Sequence, residues 1–435
     1  MFGTYIRKLG FWGIDFCRGG KIYKHYKEIQ KSMKDNNKKV QKQKVEKLLQ
    51  HAKNTTAFYK NISYNSIKDI PVVNKLMYKE SYEAFQSTEY KDKKIHKMST
   101  SGSTGTPFVV NQDMNKRYRT LADIVYFNKI SGQNLGDKYI FFRVWTDKNR
   151  KSKLEQWKQN LVPIDILHLD DESLEKIRTV LKKDKKINST LAYASTYENL
   201  VNYLEKCKDT KDMFHIKTMF SSSEVLDFKT KKKIKDILGA DVVDRYSNQE
   251  NGIIAQSCKN GKEFHINTAS YFVELLNLNN DEEAKDGELA RIVITDLYNY
   301  AMPIIRYDTG DLAIKKGKSD CNWKTEVIKD IQGRQVDVIY DTKGDKLTPH
   351  TWSVYMWKFD KLKQYQFIQE DKNEYIMKIN ADKGVYTEQE ILSTLKSILG
   401  EDANIRIEFV NEIPVLASGK FKKTVCNYKP KNEIK

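Results

Sequence analysis

The segment of residues 100–107, TSGSTGTP, has the composition of a loop that binds phosphate. Glycine lets the backbone approach a phosphate because it has no Cβ, and consecutive amides and hydroxyls donate hydrogen bonds to the oxygens. The spacing excludes a Walker A loop, a Gly-x-Gly-x-x-Gly dinucleotide loop and a Gly-x-Ser-x-Gly nucleophile elbow. Taken alone, the segment is equally typical of a solvated linker. The proposed phosphate-binding residues are Thr100, Ser101, Gly102, Ser103, Thr104 and Gly105.

Four later segments contain further residues suited to binding a nucleotide. Residues 244–252 read DRYSNQENG, residues 294–312 ITDLYNYAMPIIRYDTGDL, residues 333–337 GRQVD and residues 414–420 PVLASGK. By itself each segment is ordinary, because tyrosines are often in the core, glutamates and lysines are mostly at the surface, and Thr-Gly-Asp is a common turn. Their order along the chain is what makes them informative.

The five segments, in this order, resemble the motifs of the adenylate-forming superfamily, which includes acyl-CoA synthetases, luciferases and peptide-synthetase adenylation domains. The similarity is greatest to the phenylacetate-CoA ligase branch and its CapK-like relatives in capsule biosynthesis. It covers residues from about 95 to 425. The resemblance implies an α/β fold with a large N-terminal adenylate-forming domain of β-sheets and helices, and a small, mobile α+β C-terminal domain.

The resemblance also implies roles for individual residues. Tyr246 would stack on adenine, Asp311 would accept hydrogen bonds from both ribose hydroxyls, and Glu250 would hold Mg²⁺ against the phosphates of ATP. Further nucleotide-binding residues implied in this way are Ser222, Ser223, Glu224, Ser247 and Arg334, whose guanidinium is a planar fork of donors. Serines stand at 222 and 223 where the family usually has glycines.

Lys420, in the Ser-Gly-Lys setting, is implied as the catalytic residue. Attack of a carboxylate on the α-phosphate passes through a highly anionic transition state, and an ammonium group placed there stabilises charge that is greatest at that moment. Asp337 would be the hinge about which the C-terminal domain rotates between two steps, because Val336 replaces the first residue of the usual acidic pair.

Cys258, His265 and Cys321 are similar to positions at which some relatives have zinc ligands. Thiolate and imidazole suit zinc, but Trp323 stands where the family has another cysteine, and three ligands do not close a structural site. Buried thiols with an ordinary histidine are the alternative.

Apolar runs of strand length alternate with helical patterns between residues 100 and 335, which favours an α/β core. The expected strands are 139–145, 217–220 and 291–295, and the expected helices are 198–205 and 229–238. The resemblance implies that residues 1–334 form the large ATP- and acyl-binding domain. Their first 90 residues are predicted to be a basic helical segment with Val45, Leu48 and Leu49 in one apolar stripe.

Residues 335–435 are predicted to form the small α+β lid domain, with the hinge near 334–337. A hairpin is expected from strands at 364–370 and 374–379, and another strand at 405–409. Between them, Thr387 and Glu390 have capping-box spacing, and Gly400 is placed to end a helix. The buried face of that helix should consist of Ile391, Leu395, Ile398 and Leu399.

The chain of 435 residues has 76 Lys and Arg against 58 Asp and Glu, a net charge of +18. Lysines scattered among acids argue against nucleic acid, and the run at 231–233 is expected to be a solvated helix face. Anionic small molecules or a weak association with a membrane surface fit better. Phe2, Ile6, Leu9, Phe11 and Phe16 fit an interfacial helix or an ordinary packed one. No apolar run is long enough for a transmembrane segment, and five widely spaced cysteines fit a reducing, cytoplasmic location.

The resemblance carried by the five motifs implies an ATP- and Mg²⁺-dependent ligase that converts a carboxylic acid to an acyl-adenylate, releases pyrophosphate and transfers the acyl group to a nucleophile. The resemblance to CapK-like proteins implies a role in capsule or cell-surface polysaccharide biosynthesis. An aryl or short-acyl CoA ligase is the alternative, and a non-catalytic nucleotide-binding or scaffold protein is a third. The acid stays open, as does the acceptor, which is CoA, a carrier protein, an amine or a sugar.

Overall fold

The computed structural model of the chain describes residues 2–36, 38–99, 108–147, 149–167, 169–222, 226–278, 280–317, 319, 323–332, 339–347, 352, 355–356, 358–359, 361–362, 364–382, 384–413 and 424–428. The chain divides into two compact units. Unit 1 comprises residues 1–98 and 109–333, and unit 2 comprises residues 99–108 and 334–435.

Unit 1 begins with helices, as the sequence predicts. They are α1 (Phe2–Cys17), α2 (Lys21–Asp35), α3 (Lys38–Thr55), α4 (Ala57–Lys60) and α5 (Lys75–Glu80). The predicted stripe of Val45, Leu48 and Leu49 on α3 is buried, because positions three and four apart share one face of a helix. None of the helices that the structure describes is long and apolar enough to cross a membrane.

An eleven-stranded sheet is the centre of unit 1. Its strand order is β10-β11-β12-β13-β9-β8-β7-β6-β5-β3-β4. Two earlier strands, β1 (Ile95–Ser99) and β2 (Val109–Asp113), stand apart from it. The strands of the large sheet are β3 (Lys138–Arg143), β4 (Leu161–Asp165), β5 (Ile187–Tyr193), β6 (Thr218–Ser222), β7 (Asp241–Asn248), β8 (Gly252–Ser257), β9 (Glu263–Ile266), β10 (Tyr271–Leu276), β11 (Leu289–Asp296), β12 (Tyr307–Lys316) and β13 (Val327–Gln332).

The sheet has a parallel and an antiparallel part. Strands β3 to β7 pair in parallel, which requires crossover connections. The helices of this part are α6 (Met114–Ile130), α7 (Lys153–Gln159), α8 (Asp171–Lys183), α9 (Ala194–Lys206) and α10 (Phe228–Leu238). The predicted α/β class is therefore confirmed, and the expected strands and helices occur as β3, β6, β11, α9 and α10, with ends shifted by a few residues.

The expected solvated face at residues 231–233 is wrong for Lys231. Its ammonium group forms an ion pair with Asp244 and donates a hydrogen bond to the Gly261 carbonyl oxygen at 3.0 Å, and the side chain is buried. Lys233 pairs with Glu205 at 2.6 Å. The residue type alone did not reveal the burial, because the partner Asp244 comes from β7, a different element.

Unit 2 is a small α+β structure in the residues described. A four-stranded sheet has the order β18-β17-β16-β19, beside a short pair of β14 (Ile339–Tyr340) and β15 (Lys346–Leu347). Its elements are β16 (Gln364–Gln369), β17 (Glu374–Asn380), α11 (Glu388–Leu399), β18 (Asn404–Phe409) and β19 (Thr424–Cys426). The predicted hairpin is confirmed as the antiparallel pair β16 and β17.

Helix α11 begins and ends as its sequence predicts. Thr387 Oγ1 accepts a hydrogen bond from the Glu390 backbone N–H at 3.2 Å, and the Thr387 N–H donates to Glu390 Oε2 at 2.8 Å, so a capping box is present. Gly400 follows the last turn with φ +116°. The predicted apolar face is buried in the core of unit 2 at Ile391, Leu395, Ile398 and Leu399.

Candidate nucleotide-binding site

The segment Tyr307 to Asp311 forms a bulge in β12 where the sequence alone suggests an ordinary turn. Arg291 pairs with Leu312 but Val293 pairs with Asp308, so the register shifts between them. Gly310 has φ +69°, which a residue without Cβ adopts at little cost. The Asp308 side chain accepts a hydrogen bond from the Gly310 N–H at 2.7 Å. Bulges redirect side chains out of the strand pattern, and this one reorients Asp311.

The bulge brings Asp311 to Tyr246 of β7. The Tyr246 hydroxyl donates to Asp311 Oδ2 at 2.9 Å and lies 3.2 Å from Thr309 Oγ1. Thr309 Oγ1 also accepts from the Asp311 N–H at 3.1 Å and donates to the Ile292 carbonyl oxygen at 3.0 Å. Burial and the adjacent Asp311 carboxylate raise the pKa of Tyr246 well above its ordinary value, so the phenol remains a donor.

This contact requires a strongly curved sheet. Strands β7 and β12 are separated by β8, β9 and β13, and four strand spacings amount to about 19 Å across a flat sheet. A tyrosine side chain does not span that distance. The curved part encloses an apolar cluster that includes Ile254, Phe264, Ile292 and Ile328. Two motifs that are 65 residues apart in sequence therefore meet across the interior of unit 1.

Glu250 lies in the turn between β7 and β8 and is buried. Its Oε1 accepts a hydrogen bond from the Tyr307 hydroxyl at 3.4 Å and lies 3.9 Å from the Lys75 ammonium group. The backbone carbonyl oxygen of Glu250 accepts a hydrogen bond from the Gln112 side chain at 2.9 Å. A buried carboxylate is thus placed beside a cation and next to the strand that bears Asp311.

Lys75 is the residue of this group that sequence reasoning missed. It is the first residue of α5, a helix whose N-cap Asn74 accepts a hydrogen bond from the Met77 N–H at 3.0 Å. Nothing in its local sequence distinguishes it among 76 basic residues. Lys75 comes near Glu250 because Val73, just before α5, forms a β-bridge with Tyr307 at the beginning of β12. Tyr307 and Thr309 lie within the motif at residues 294–312, but the resemblance implied no role for either of them.

Buried Arg306 fixes the beginning of β12. Its backbone has φ +47°, unusual for a residue with a side chain. The Arg306 guanidinium donates to Glu274 Oε2 at 3.1 Å and to the carbonyl oxygens of Lys68 and Ile70 at 3.0 and 2.7 Å. These bonds hold the residue that precedes Tyr307.

The first half of the segment 294–312 has a structural role. Buried Asp296 forms an ion pair with Lys116 of α6 at 2.5 Å, and the Tyr298 hydroxyl accepts a hydrogen bond from Arg119 at 2.7 Å. Breaking such a buried pair by removing one partner usually costs about 3–5 kcal/mol. These contacts attach α6 to the end of β11, so only the second half of the segment contributes side chains to the candidate site.

The remaining predicted site residues fall into two groups. Ser222 lies at the end of β6 and pairs in register with Arg245 of β7, and Ser247 follows Tyr246 on β7. The other predicted residues lie outside the described residues, so their roles stay predictions: Thr100, Ser101, Gly102, Ser103, Thr104, Gly105, Ser223, Glu224, Arg334, Asp337 and Lys420.

The structure brings Cys258 and His265 together. The Cys258 Sγ lies 3.1 Å from His265 Nε2, and the Trp323 ring lies 4.5 Å from the imidazole centroid. Burial lowers the pKa of His265 to about 4, so the ring is neutral at neutral pH. Among the described residues, no group of three or more His, Cys, Asp or Glu side chains is arranged to hold a metal ion, and Cys321 lies outside them. The zinc hypothesis stays untested.

The sequence of this chain is similar to that of CapK. Residues 339–427 match the family model of the CapK C-terminal domain. Protein CapK of Staphylococcus aureus is 24% identical over an alignment of 442 positions, which covers 94% of this chain and 95% of that protein.

Solved structures show the same fold along most of the chain. An open conformation of 2-hydroxyisobutyryl-CoA ligase in complex with 2-HIB-AMP and CoA matches with a TM-score of 0.56 at 16% identity, covering 89% of this chain and 91% of that one. The same enzyme in its thioesterification state matches with a TM-score of 0.58 at 15% identity, covering 91% and 90%. The resemblance inferred from the motifs is confirmed: the chain has the fold of solved acyl-CoA ligases, is similar to protein CapK along most of its length, and matches the CapK C-terminal domain at residues 339–427.

Proposed function

We propose that the protein uses ATP to convert a carboxylic acid to an acyl-adenylate, releases pyrophosphate and transfers the acyl group to a nucleophile. The observation that carries the proposal is the hydrogen bond from Tyr246 to Asp311 at the β12 bulge. This hydrogen bond brings two sequence motifs together, and the neutral Tyr246 hydroxyl orients the Asp311 carboxylate. In this proposal Asp311 binds the ribose hydroxyls and the Tyr246 ring contacts adenine.

Glu250 and Lys75 are proposed to act on the phosphates. Mg²⁺ in nucleotide sites usually takes one or two carboxylates together with phosphate oxygens, so a single buried glutamate fits that ion. Bound there, the ion would neutralise phosphate charge. Lys75, 3.9 Å from Glu250 Oε1, offers an ammonium group to the same anion. Residues 100–105 would donate backbone and hydroxyl hydrogen bonds, and Arg334 would bind the nucleotide.

Lys420 is proposed to stabilise the anionic transition state when the carboxylate attacks the α-phosphate. The carboxylate oxygen forms a bond to phosphorus, the bond to the pyrophosphate oxygen breaks, and pyrophosphate carries away the electron pair. In the second step the acyl carbon is attacked by the nucleophile and AMP leaves. A large domain at 1–334 would bind ATP and acid, and a small domain at 335–435 would rotate about Asp337 between the steps.

Two candidate functions differ in the acceptor of the acyl group. The near full-length similarity to protein CapK supports a role in capsule or cell-surface polysaccharide biosynthesis, in which a sugar, an amine or a carrier protein takes the acyl group. The second candidate is CoA, because the solved enzyme with this fold holds both an acyl-AMP and CoA. A non-catalytic nucleotide-binding protein is the remaining alternative.

ATP–pyrophosphate exchange with a panel of carboxylic acids tests the proposal. We expect at least one acid to stimulate exchange, and Lys420→Ala to reduce it by a factor on the order of 10² or more, the scale for losing one preorganised charge contact in a transition state. Lys422→Ala, which removes a nearby lysine outside the motif, is the matched control. Absence of stimulation by every acid would favour the non-catalytic alternative, and equal rates in both variants would show that the C-terminal motif is misassigned.

The acceptor is tested with the stimulating acid. Loss of free CoA thiol in step with AMP release would support the CoA ligase, whereas AMP release that needs a sugar, amine or carrier protein and no CoA would support the polysaccharide role.

A further inference from the structure

Helix α1 is attached to the rest of unit 1 along one side. Arg7 Nε donates to the Trp157 carbonyl oxygen at 2.7 Å, and the Arg7 guanidinium lies 5.2 Å from the Trp157 ring centroid. The Trp12 ring packs edge-on against Tyr23 of α2 at 5.3 Å. Buried Asp15 accepts a hydrogen bond from the Tyr23 N–H at 2.8 Å. These contacts fix which face of α1 points to the protein and which to solvent.

The solvent face of α1 is apolar. Ile6, Leu9 and Phe16 are 43%, 54% and 81% exposed, and their spacing of three and seven residues places them on one side of the helix. We refer to these three residues as the apolar stripe. Asp15 is the acid of α1 and faces the protein, so the exposed charged side chains here are basic: Lys8 on α1 and Arg18 directly after it. Large contiguous apolar groups in water are usually covered by a partner.

The N-terminal helices contribute much of the net charge of the chain. Residues 1–60 contain 15 Lys and Arg but only 4 Asp and Glu, so they contribute +11 of the net charge of +18. On α2 the buried face consists of Ile22, Tyr26, Ile29 and Met33. The exposed lysines of the same helix form what we call the lysine row: Lys21, Lys24, Lys27, Lys31 and Lys34.

We infer that α1 and α2 dock unit 1 on an anionic lipid surface, with the apolar stripe inserted at the boundary between headgroups and acyl chains. An interfacial helix of this kind buries its apolar face about 5–10 Å into the bilayer and is attracted by its cationic residues. The choice of an anionic lipid surface rests on the apolar stripe and the lysine row together. A nucleic acid would neutralise the lysines but leave Leu9 and Phe16 in water, whereas a purely apolar partner would leave the lysines without counter-charge.

Flotation of the full-length protein with vesicles tests this inference without reference to catalysis. We expect binding to phosphatidylcholine vesicles that contain about 30% phosphatidylglycerol, an anionic fraction of the size that attracts polybasic segments. Binding should be lost with phosphatidylcholine alone and reduced in about 0.5 M salt, which shortens the range of the charges. The double variant Leu9→Asn with Phe16→Asn should lower the partition coefficient about tenfold or more, because the inserted apolar groups are removed.

The matched control replaces an exposed leucine and phenylalanine elsewhere in unit 1, Leu278→Asn with Phe228→Asn, which are 45% and 61% exposed. Since all four positions are exposed, the variants should fold alike, and equal melting temperatures check this. The inference is overturned if wild type fails to bind anionic vesicles, or if both double variants bind equally. It is also overturned if duplex DNA displaces the vesicles, or if the stripe variant instead abolishes a concentration-dependent dimer.

Discussion

At the residue scale, the Tyr246 hydroxyl positions the carboxylate that is proposed to bind ribose. Tyr246→Phe keeps the ring and removes one hydrogen bond, worth about 1–1.5 kcal/mol, so the ATP KM in pyrophosphate exchange should rise about five- to tenfold with kcat little changed. Tyr203→Phe removes a similar hydrogen bond, to Glu175 Oε2 at 2.9 Å, and is the matched control. An unaltered KM in a folded Tyr246→Phe protein would mean that the hydroxyl does not position the nucleotide site.

Asp311→Ala removes the acceptor itself. Leaving the ribose hydroxyls without a charged partner should cost roughly 1.5–3 kcal/mol, which is about a 10- to 150-fold rise in ATP KM. Asp281→Ala, at an exposed carboxylate paired with Arg291 at 2.8 Å, is the control. Because Tyr246 would act through Asp311, the double variant Tyr246→Phe with Asp311→Ala should have nearly the same ATP KM as Asp311→Ala alone. Additive effects would separate the two residues and reject a shared role.

At the scale of elements, sequence patterns correctly predicted the features that depend only on neighbouring residues. The capping box of α11 and the buried stripe of α3 follow from side chains within one or two turns. The position of Lys75 beside Glu250 could not be predicted from a local pattern, because it depends on how the segment that contains α5 packs against β12. Likewise, the order of the motifs predicted that Tyr246 and Asp311 bind the same nucleotide. Their direct contact was not predicted, because it depends on the curvature of five strands and on a bulge, and no local sequence pattern specifies these two features.

Gly310 tests whether the bulge in β12 is needed for the site. Gly310→Ala forces a side chain into φ +69°, which should cost roughly 1–2 kcal/mol and lower the melting temperature. Gly287→Ala is the matched control, because it has φ +89° and, among the described residues, open space where a Cβ would lie, so it should lose similar stability. We expect a raised ATP KM in the Gly310 variant alone. A normal KM there would show that Asp311 reaches its position without this backbone conformation.

At the scale of the whole molecule, the division of the chain into two compact units suits the proposed reaction in two half-steps. If residues 335–435 present Lys420 in the first step and another face in the second, the hinge must permit two backbone conformations. Asp337→Pro fixes φ and removes a backbone donor at the proposed pivot, so one orientation should be lost. Asp337→Ala, which removes the carboxylate but leaves φ unrestricted, is the matched control.

We expect Asp337→Pro to lose one half-reaction while the other persists, with adenylation the survivor if the retained orientation is that of the first step. Pyrophosphate release reports the first half-reaction, and consumption of synthetic acyl-AMP in the presence of acceptor reports the second. Asp337→Ala should retain both, because a free φ still allows the change of orientation. Equal loss of both half-reactions in an Asp337→Pro protein that still unfolds cooperatively would argue for one rigid active site, since a single orientation would then serve both steps.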